Sequence, residues 1–376
     1  MAALSNFVPT QPTYIPPSNS LIHTEPLISI DGVNSSLPTP RSSSILELFD
    51  LARKARRPLF IAAPMVRYSK LPFRMLLQHF GLDLIYTPMM LAREFKNSPH
   101  ARTADFSTTT SDSRVLLAQF GASNADDLCA ATRIIRPYIA GVGINCGCPI
   151  KDQVAEGIGA ALMSKPEVVE QMVRTLRAEF GDDLVIDVKI RVHSDLDKTL
   201  AFARRVADAG ANIVTVHGRR RKDRSGGVPV NLLAIKLVRE ALPPNVYVVA
   251  NGDCFSFADA LRIANETGVD GVMAARGLLE NPAMFLPTHL GSRTPWKAVE
   301  LFWAYAEEYG LTGKFQHLQL VVADMTAGIL TKQERQEIRL ARNWQQLTKF
   351  MDSRFILKRR GEQGFAQLDY DGFRKL

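Results

Sequence analysis

The chain has 376 residues, 46% hydrophobic and 22% charged, which is typical of a globular protein with one large domain and room for a smaller one. Four cysteines are too few for a disulfide framework, and Cys146 and Cys148 are too close for an unstrained bridge, so we expect a reducing compartment, the cytoplasm or nucleus. No apolar run is long enough to span a bilayer and no signal peptide opens the sequence, so we expect no membrane insertion.

A net charge of +8 favours a polyanionic partner. The positive charge is concentrated in three clusters, any of which could also be a solvated face. The clusters are Arg53, Lys54, Arg56 and Arg57; Arg219, Arg220, Arg221, Lys222 and Arg224; and Arg354, Lys358, Arg359 and Arg360.

Residues 1–41 are predicted to be a disordered leader. The first 40 residues contain seven prolines, many Ser, Thr and Asn, and no Lys or Arg, which argues against an Arg-rich transit peptide. The folded part of the chain is therefore expected to begin near Ser42.

Eight short apolar or β-branched runs then alternate with amphipathic stretches. The helical stretches include KPEVVEQMVRTLRAEFG and DKTLAFARRVADAGA, with apolar residues three and four apart and Gly near the end. Eight strands, each followed by a helix, predict a (β/α)8 TIM barrel over residues 42–290. The runs are Pro58–Met65, Asp83–Pro88, Arg114–Gly121, Gly141–Pro149, Leu184–Val192, Ala211–Gly218, Val246–Asp253 and Asp270–Gly277.

Polar residues gather where these strands end. In such barrels the active site lies at the C-terminal ends of the strands, so these residues are candidates for one site. A single polar strand end is most simply explained by its exit into water, but seven in one chain indicate a shared function. They are Pro64 with Met65, Gln119, Asn145 with Cys148, Lys189 with Arg191, His217 with Arg219, Asn251 to Asp253, and Arg276 with Gly277.

The same strand ends suggest a cofactor. The NGD and ARG turns after the last two strands offer backbone N–H groups for a phosphate, and a helix beginning just beyond would add its dipole. Lys189 interrupts an apolar strand and needs an anionic or electron-rich partner, while Gln119 and His217 can hydrogen-bond a flat polar ring. No GxGxxG follows the first strand, so we predict flavin mononucleotide (FMN) rather than a Rossmann-bound dinucleotide.

Cys146 and Cys148 have no second Cys/His pair at metal-ligand spacing, which argues against a zinc site. Gly147 and Pro149 are expected to kink the chain between them. We therefore predict that Cys148, nearest the loop, is a proton donor and that Cys146 packs inside the protein.

At these residues the sequence resembles the tRNA-dihydrouridine synthase family. The matching motifs run in order from Pro58 to Phe285, and a weaker similarity continues to the C-terminus. They are APMVRYSKLPFR, AQFGA, NCGCP, VKIR, HGR, NGD and ARG. AEGIGA, MAARGLLENPAMF and KQERQE resemble the eukaryotic branch that modifies uridines 20a and 20b of the D-loop.

The resemblance implies a reaction in which FMN, reduced by NADPH or NADH, passes hydride to C6 of uracil while Cys148 protonates C5. It also implies a set of binding residues. The cofactor residues are Pro64, Met65, Gln119, Lys189, His217, Asn251, Gly252, Asp253, Ala275 and Arg276, and Asn145 and Arg191 would meet the uracil. The basic cluster from Arg219 to Arg224 follows the strand end at His217, so its charge makes it the first candidate to contact the D-loop phosphates, with Arg219 and Arg221 as predicted substrate residues.

Residues 291–376 resemble the family's smaller helical domain, which implies a tRNA-binding role. Trp296, Phe302, Trp303 and Tyr305 recur at helical spacing and are expected in its core, and one helix is expected from Lys332 to Phe350. Its cationic face, predicted to contact tRNA, consists of Lys332, Arg335, Arg339 and Arg342. We expect a monomer.

Two alternatives remain open at this point. A dihydroorotate-dehydrogenase-like barrel, which reduces a free pyrimidine with FMN, would share the phosphate loops and the cysteine. A tRNA-binding module without catalysis would not need Asn145, Cys148, Lys189 and His217.

Overall fold

The computed structural model describes residues 25–28, 30, 43–223, 226–287, 293–310, 314–367 and 372–375. Its strands are β1 (Leu59–Ala62), β2 (Ile85–Tyr86), β3 (Met90–Leu91), β4 (Leu116–Gly121), β5 (Gly141–Asn145), β6 (Val185–Arg191), β7 (Ile213–His217), β8 (Tyr247–Asn251) and β9 (Gly271–Ala274). Most of the predicted leader, including the whole of residues 1–24, lies outside the described residues.

Helices fill the connections and form the C-terminal region. In the first half they are α1 (Ser43–Lys54), α2 (Leu71–His79), α3 (Ala92–Asn97), α4 (Pro99–Asp105), α5 (Thr110–Arg114), α6 (Ala125–Ile135), α7 (Lys151–Ala155) and α8 (Pro166–Phe180). In the second half they are α9 (Leu196–Asp208), α10 (Leu232–Ala241), α11 (Phe257–Thr267), α12 (Arg276–Glu280), α13 (Trp296–Tyr309), α14 (Phe315–Met325), α15 (Lys332–Leu340) and α16 (Trp344–Arg354).

Eight parallel strands form the predicted barrel. The order is β1, β9, β8, β7, β6, β5, β4 and β2, and β3 adds a short pairing to β4. The ring closes where Ile61 of β1 bridges Leu84, just before β2, and the Ala62 N–H donates to the Leu84 carbonyl at 3.0 Å. The fold class predicted from the alternating runs is confirmed, and each of the eight runs contains a strand.

Side-chain caps begin several of the barrel helices. Asn124, Asn231 and Ser256 accept a backbone N–H at the start of α6, α10 and α11, respectively. Gly268 ends α11 in the left-handed conformation with φ of 70°, which costs a glycine no steric strain. These helices pack their apolar faces on the outside of the barrel, so the strand ends remain free to form a site.

Helix α1 closes the N-terminal end of the barrel. Its buried residues Ile45, Phe49 and Ala52 pack with the residues of the strands that point into the barrel. Phe49 stacks on Tyr247 of β8 with ring centroids 4.5 Å apart. Helix α1 thus closes the barrel at the N-terminal ends of the strands, and the barrel is open at their C-terminal ends.

The C-terminal helices share one hydrophobic core with the helices of the barrel, and α13 packs on α2. Trp296, Phe302, Trp303 and Tyr305 are all buried, which confirms that they are core residues. The single helix expected from Lys332 to Phe350 is wrong, because the chain turns after Leu340 and Asn343 caps a separate α16.

A short part of the predicted leader lies against the folded chain. Ile28 pairs with Thr108, the Glu25 carboxylate accepts from the Ser111 N–H at 2.7 Å, and Tyr309 Oη donates to the Glu25 carbonyl. The rest of residues 1–41 lies outside the described residues, so the disorder expected for the leader stays a prediction there.

Candidate active site

One cavity opens at the C-terminal ends of the strands, and it brings together residues from β1 and from β4 to β9. The predicted residues in its wall are Pro64, Gln119, Asn145, Cys148, Lys189, Arg191, His217, Arg219, Asn251, Gly252, Asp253, Ala275 and Arg276. Met65 and Arg221 were also predicted but do not line it. Met65 is part of the turn after β1, where its N–H donates to Ser69 Oγ, and Arg221 is exposed.

The two cysteines after β5 have different environments. Cys148 is partly exposed and lines the cavity, whereas Cys146 is fully buried. Burial, together with the nearby carboxylate of Asp187, raises the pKa of the Cys146 thiol well above its ordinary value. Cys148 is therefore the thiol that a molecule in the cavity can reach.

An amide pair links the Cys148 loop to the floor of the cavity. Asn145 Oδ1 accepts from the N–H groups of Gly147 and Cys148 at 3.1 and 2.9 Å, and its Nδ2 donates to Gln119 Oε1 at 2.8 Å. Gln119 Nε2 is buried and has no hydrogen-bond partner among the described residues. A buried amide donor of this kind needs an acceptor, so Gln119 marks a place where a polar ligand fits.

Lys189 enters the cavity from β6. Its ammonium donates to Asn251 Oδ1 at 2.9 Å, and Asn251 Nδ2 donates to the Met273 carbonyl. Burial lowers the pKa of Lys189 to about 8, assisted by the positive charge of Arg191 and opposed by Asp187. The group is thus a hydrogen-bond donor fixed by β8 rather than a mobile surface charge.

A buried carboxylate lies below Lys189 inside the barrel. Asp187 accepts from Tyr86 Oη at 2.9 Å and from Thr215 Oγ1 at 2.8 Å. Burial raises its pKa to about 6, and the two hydrogen bonds and Lys189 act in the opposite direction. No pattern along the chain indicated this group, because its partners come from β2 and β7.

His217 ends β7 among several cations. Burial lowers its pKa to about 2, and Lys189, Arg191, Arg219 and Arg276 lower it further by repulsion. The Arg219 N–H donates to His217 Nδ1 at 3.2 Å, which leaves the ring proton on Nε2. His217 is therefore a neutral hydrogen-bond donor toward the cavity.

The NGD turn after β8 has an unusual backbone. Gly252 has φ of 121°, and a Cβ there would lie 2.4 Å from Val230 Cγ1, so only glycine fits. Asp253 follows with φ of 47° and holds Arg219 at 2.5 Å and Arg276 at 3.2 Å. The helix expected beyond β9 is present as α12, which begins at Arg276. This end of the cavity contains the guanidinium groups of Arg219 and Arg276 and a backbone turn at Gly252 that has no room for a side chain. Both features suit an anion site.

The arginines predicted to meet the substrate lie in different environments. Arg219 is buried, pairs with Asp253 and donates to the Val228 carbonyl, so its placement does not favour contact with tRNA phosphates. Arg191 donates to the carbonyls of Gly147 and Arg220 at 2.7 and 3.0 Å. Arg224 lies outside the described residues.

Several residues of the cavity wall were missed from the sequence. Val66, Met89 and Phe255 line the cavity, and the Phe255 ring lies 4.9 Å from the Arg276 guanidinium. Met89 follows β2, so the rule that strand ends form the site could have found it. Val66 and Phe255 lie further along their loops and carry no comparable signal.

The described residues contain no group of three or more His, Cys, Asp or Glu side chains arranged to hold a metal ion. Within the same residues, no helix combines the length and the apolar character needed to cross a bilayer.

Comparison with known proteins identifies the family. The model of the dihydrouridine synthase (Dus) family matches residues 61–368. A Saccharomyces cerevisiae protein named tRNA-dihydrouridine(20a/20b) synthase, NAD(P)+, is 44% identical over 316 residues, 82% of this chain and 83% of the yeast protein. The Schizosaccharomyces pombe protein of that name is 42% identical over 86% of this chain and 95% of its own length. A Homo sapiens protein named as similar to this synthase is 38% identical over 81% of this chain and 92% of its own length. Because the family model covers most of the chain and these three relatives are 38% to 44% identical to it, the chain belongs to the dihydrouridine synthase family.

Proposed function

We propose that this protein reduces the C5–C6 double bond of a uridine in the D-loop of tRNA, at positions 20a and 20b. The names of the yeast and human relatives support the reaction, the positions and the use of NAD(P)H. The observation that carries the proposal is the meeting of Cys148, Gln119, Lys189 and His217 in one cavity at the strand ends.

The residues present fit FMN. Gln119 Nε2, which has no partner among the described residues, the Lys189 ammonium and the His217 Nε2–H are donors for a flat ring with polar edges, and all three residues line one cavity. Arg276 and the turn at Gly252 suit a phosphate. When bound and reduced by NADPH or NADH, FMN supplies the hydride for C6 of the uracil.

The chain itself supplies the proton. Cys148 Sγ–H is the reachable thiol of the cavity, and it is proposed to protonate C5 while the hydride arrives at C6. One hydride and one proton convert uracil to 5,6-dihydrouracil, so the reaction balances without a metal. The thiolate that remains is reprotonated before the next turnover.

We further propose that the helical region, residues 291–376, binds the tRNA. A uridine in a folded tRNA must leave its stack to enter a cavity, and contacts elsewhere must offset that cost. Lys332, Arg339 and Arg342 are exposed on and just after α15, and Arg335 is partly exposed there. This arrangement supports a phosphate-binding role for these residues.

The experiment for the reaction compares substrates. The purified protein should carry FMN absorbance, and unmodified tRNA should stimulate its oxidation of NADPH. Orotate should not do so. Stimulation by orotate alone would favour the reductase of a free pyrimidine, and a colourless protein that binds tRNA would favour a module without catalysis. Mapping dihydrouridine in tRNA from cells lacking the protein tests positions 20a and 20b.

The experiment for the proton donor compares the two cysteines. Cys148→Ala should retain FMN and its reduction by NADPH but lose turnover on tRNA, because the donor to C5 is gone. Cys146→Ala is the matched control, since this thiol is buried outside the cavity wall, and it should retain turnover. Full turnover in Cys148→Ala would contradict the assignment.

A further inference from the structure

The backbone of Cys148 is held from several sides. Asn145 Oδ1 accepts its N–H at 2.9 Å, and its own carbonyl accepts from the Ala160 N–H at 2.8 Å. The preceding carbonyl, of Gly147, accepts from Arg191 Nε at 2.7 Å. Each of the two peptide groups next to the thiol is therefore fixed by a residue outside the NCGCP motif, Arg191 or Ala160, in addition to Asn145 within it.

The Ala160 contact requires a very close approach of two chain segments. Gly159 lies directly over the Cys148 carbonyl, where an added Cβ would be 2.7 Å from the oxygen and 3.1 Å from Cys148 Cβ. A distance of 2.7 Å is shorter than a side-chain carbon can tolerate against backbone. Gly159 also has φ of 62°, in the left-handed region that favours glycine. Any side chain at position 159 would push the two segments apart.

The turn that carries Gly159 is itself anchored in the protein. Ile158 is buried, and its N–H donates to the Gln153 carbonyl at 3.0 Å. Ala160, Leu162 and Met163 of the following 3-10 turn are buried as well. The turn is thus held firmly in place, whereas Pro149 and Ile150, which follow Cys148, are exposed. A side chain at position 159 would therefore displace the Cys148 loop more than the turn.

We propose that Gly159 is a positioning residue for the Cys148 thiol. Its lack of a side chain lets the 159–160 turn close on the Cys148 carbonyl and holds the thiol at the cavity. The inference rests on the proposed function, because it assumes that the position of this thiol matters for proton transfer to a uracil. Effects of misplaced groups on such steps are large, about 100-fold for a shift of 1 Å.

The test compares Gly159→Ala with Gly157→Ala. Gly157 is a matched control because it lies in the same loop with φ of 78°, while its nearest neighbour, Ser123 Cβ, would be 3.9 Å from an added Cβ. Both variants introduce strain at a positive φ, but only the first collides with Cys148. Any difference between them reports the contact rather than the loss of a glycine.

Two measurements separate positioning from a general loss of structure. The first is the rate of alkylation of Cys148 by iodoacetamide, followed by intact mass; the other three cysteines of the chain are buried. The second divides turnover into the reduction of bound flavin by NADPH and its reoxidation by tRNA under anaerobic conditions. A merely structural role would slow both half-reactions together.

We expect Gly159→Ala to be alkylated faster than the wild type, to reduce its flavin at the normal rate, and to reoxidise it on tRNA about 10- to 100-fold more slowly. Gly157→Ala should match the wild type in all three. Equal alkylation and equal reoxidation in the two variants would overturn the proposal.

If Gly159→Ala does not fold, Ile158→Ala decides instead, because it loosens the anchor of the same turn without adding an atom. Faster alkylation of Cys148 in Ile158→Ala supports the proposal, and an unchanged rate overturns it. Alkylation needs neither flavin nor tRNA. Failure of the proposed function would appear separately, as wild-type protein whose reduced flavin is not reoxidised by tRNA.

Discussion

His217 shows how the environment of one residue determines its chemistry. Histidine ordinarily titrates near neutral pH, but burial and four surrounding cations lower the pKa of His217 to about 2. The imidazole is therefore neutral at every pH at which the protein is expected to work. It can donate a hydrogen bond to a ligand, but a neutral imidazole is a poor source of a proton. The proposed role of proton donor to the uracil therefore stays with Cys148.

The lowered pKa of His217 has a consequence for stability. Between pH 6.5 and about 2 the unfolded chain binds a proton at this residue that the folded protein does not bind. The free energy of unfolding must then fall as the pH decreases, by up to about 1.4 kcal/mol per pH unit from this residue. His217→Gln should show a smaller decrease between pH 6 and pH 5, measured by chemical denaturation of the flavin-free protein.

The control for this experiment is His100→Gln, because His100 is exposed on α4. It replaces a histidine that does not line the cavity, and so it tests for a nonspecific effect of the substitution. The same slope in His217→Gln and in the wild type would contradict the proposed neutrality of His217.

Helix α1 has a structural rather than a chemical role. It lies at the end of the barrel opposite the cavity, where Arg53 Nε pairs with Asp270 at 2.7 Å and Phe49 stacks on Tyr247. The Phe49 side chain is fully buried among residues that point into the barrel. The helix thus excludes water from the lower part of the barrel and supports the floor below Lys189.

Phe49→Ala should lower the free energy of unfolding by about 3–5 kcal/mol, because it leaves a cavity in a packed core. Chemical denaturation measures this change, and flavin affinity should remain near that of the wild type because the site lies at the other end. The matched control is Leu51→Ala on the same helix, where the side chain is 48% exposed and the cost should be within about 0.5 kcal/mol. Similar costs for the two variants would show that α1 does not seal the barrel.

The turn between α15 and α16 changes the cationic surface that one long helix would have presented. Lys332 and Arg339 lie on α15, while Arg342 belongs to the turn that precedes α16. These residues still share one region of the C-terminal part. They are spread over a helix and a turn, so they could follow a curved phosphate backbone better than a straight row.

We propose that the barrel carries out the reaction and that the C-terminal helices hold the tRNA. Lys332→Glu combined with Arg339→Glu should weaken tRNA binding and reduce its salt dependence, by roughly 0.7–0.9 in the log–log slope for each phosphate that the variant no longer neutralises. Flavin reduction by NADPH should be unchanged, because the cavity is untouched. Titration of labelled tRNA at several salt concentrations measures the effect.

The matched control is Lys198→Glu combined with Arg204→Glu, which reverses two exposed charges on α9 of the barrel wall. It changes the net charge by the same amount. Equal losses of affinity in the two double variants would indicate a general effect of charge and would contradict a specific tRNA contact at α15.

Much of the site could be predicted from local patterns. Strand ends such as Gln119, Lys189 and Asn251 were recognisable because each interrupts an apolar run, and parallel strands of a barrel end at one face. The distinction between Cys146 and Cys148 followed from their positions relative to the strand and the loop. These inferences needed only the neighbours of each residue along the chain.

Other features depend on pairings between distant parts of the chain. Arg219 belongs to a basic run that suggests a surface, yet Asp253, 34 residues away, holds it in the interior. The hydrogen-bond partners of Asp187 lie on β2 and β7. Gly159 has no room for a side chain because the carbonyl of Cys148 lies against it. The apolar periodicity of a segment indicates which of its side chains face the core. It therefore predicted the barrel and the end of the barrel at which the site lies. Which charge is neutralised, and which glycine has no room for a side chain, follows from three-dimensional packing, because these depend on what the rest of the fold places opposite each residue.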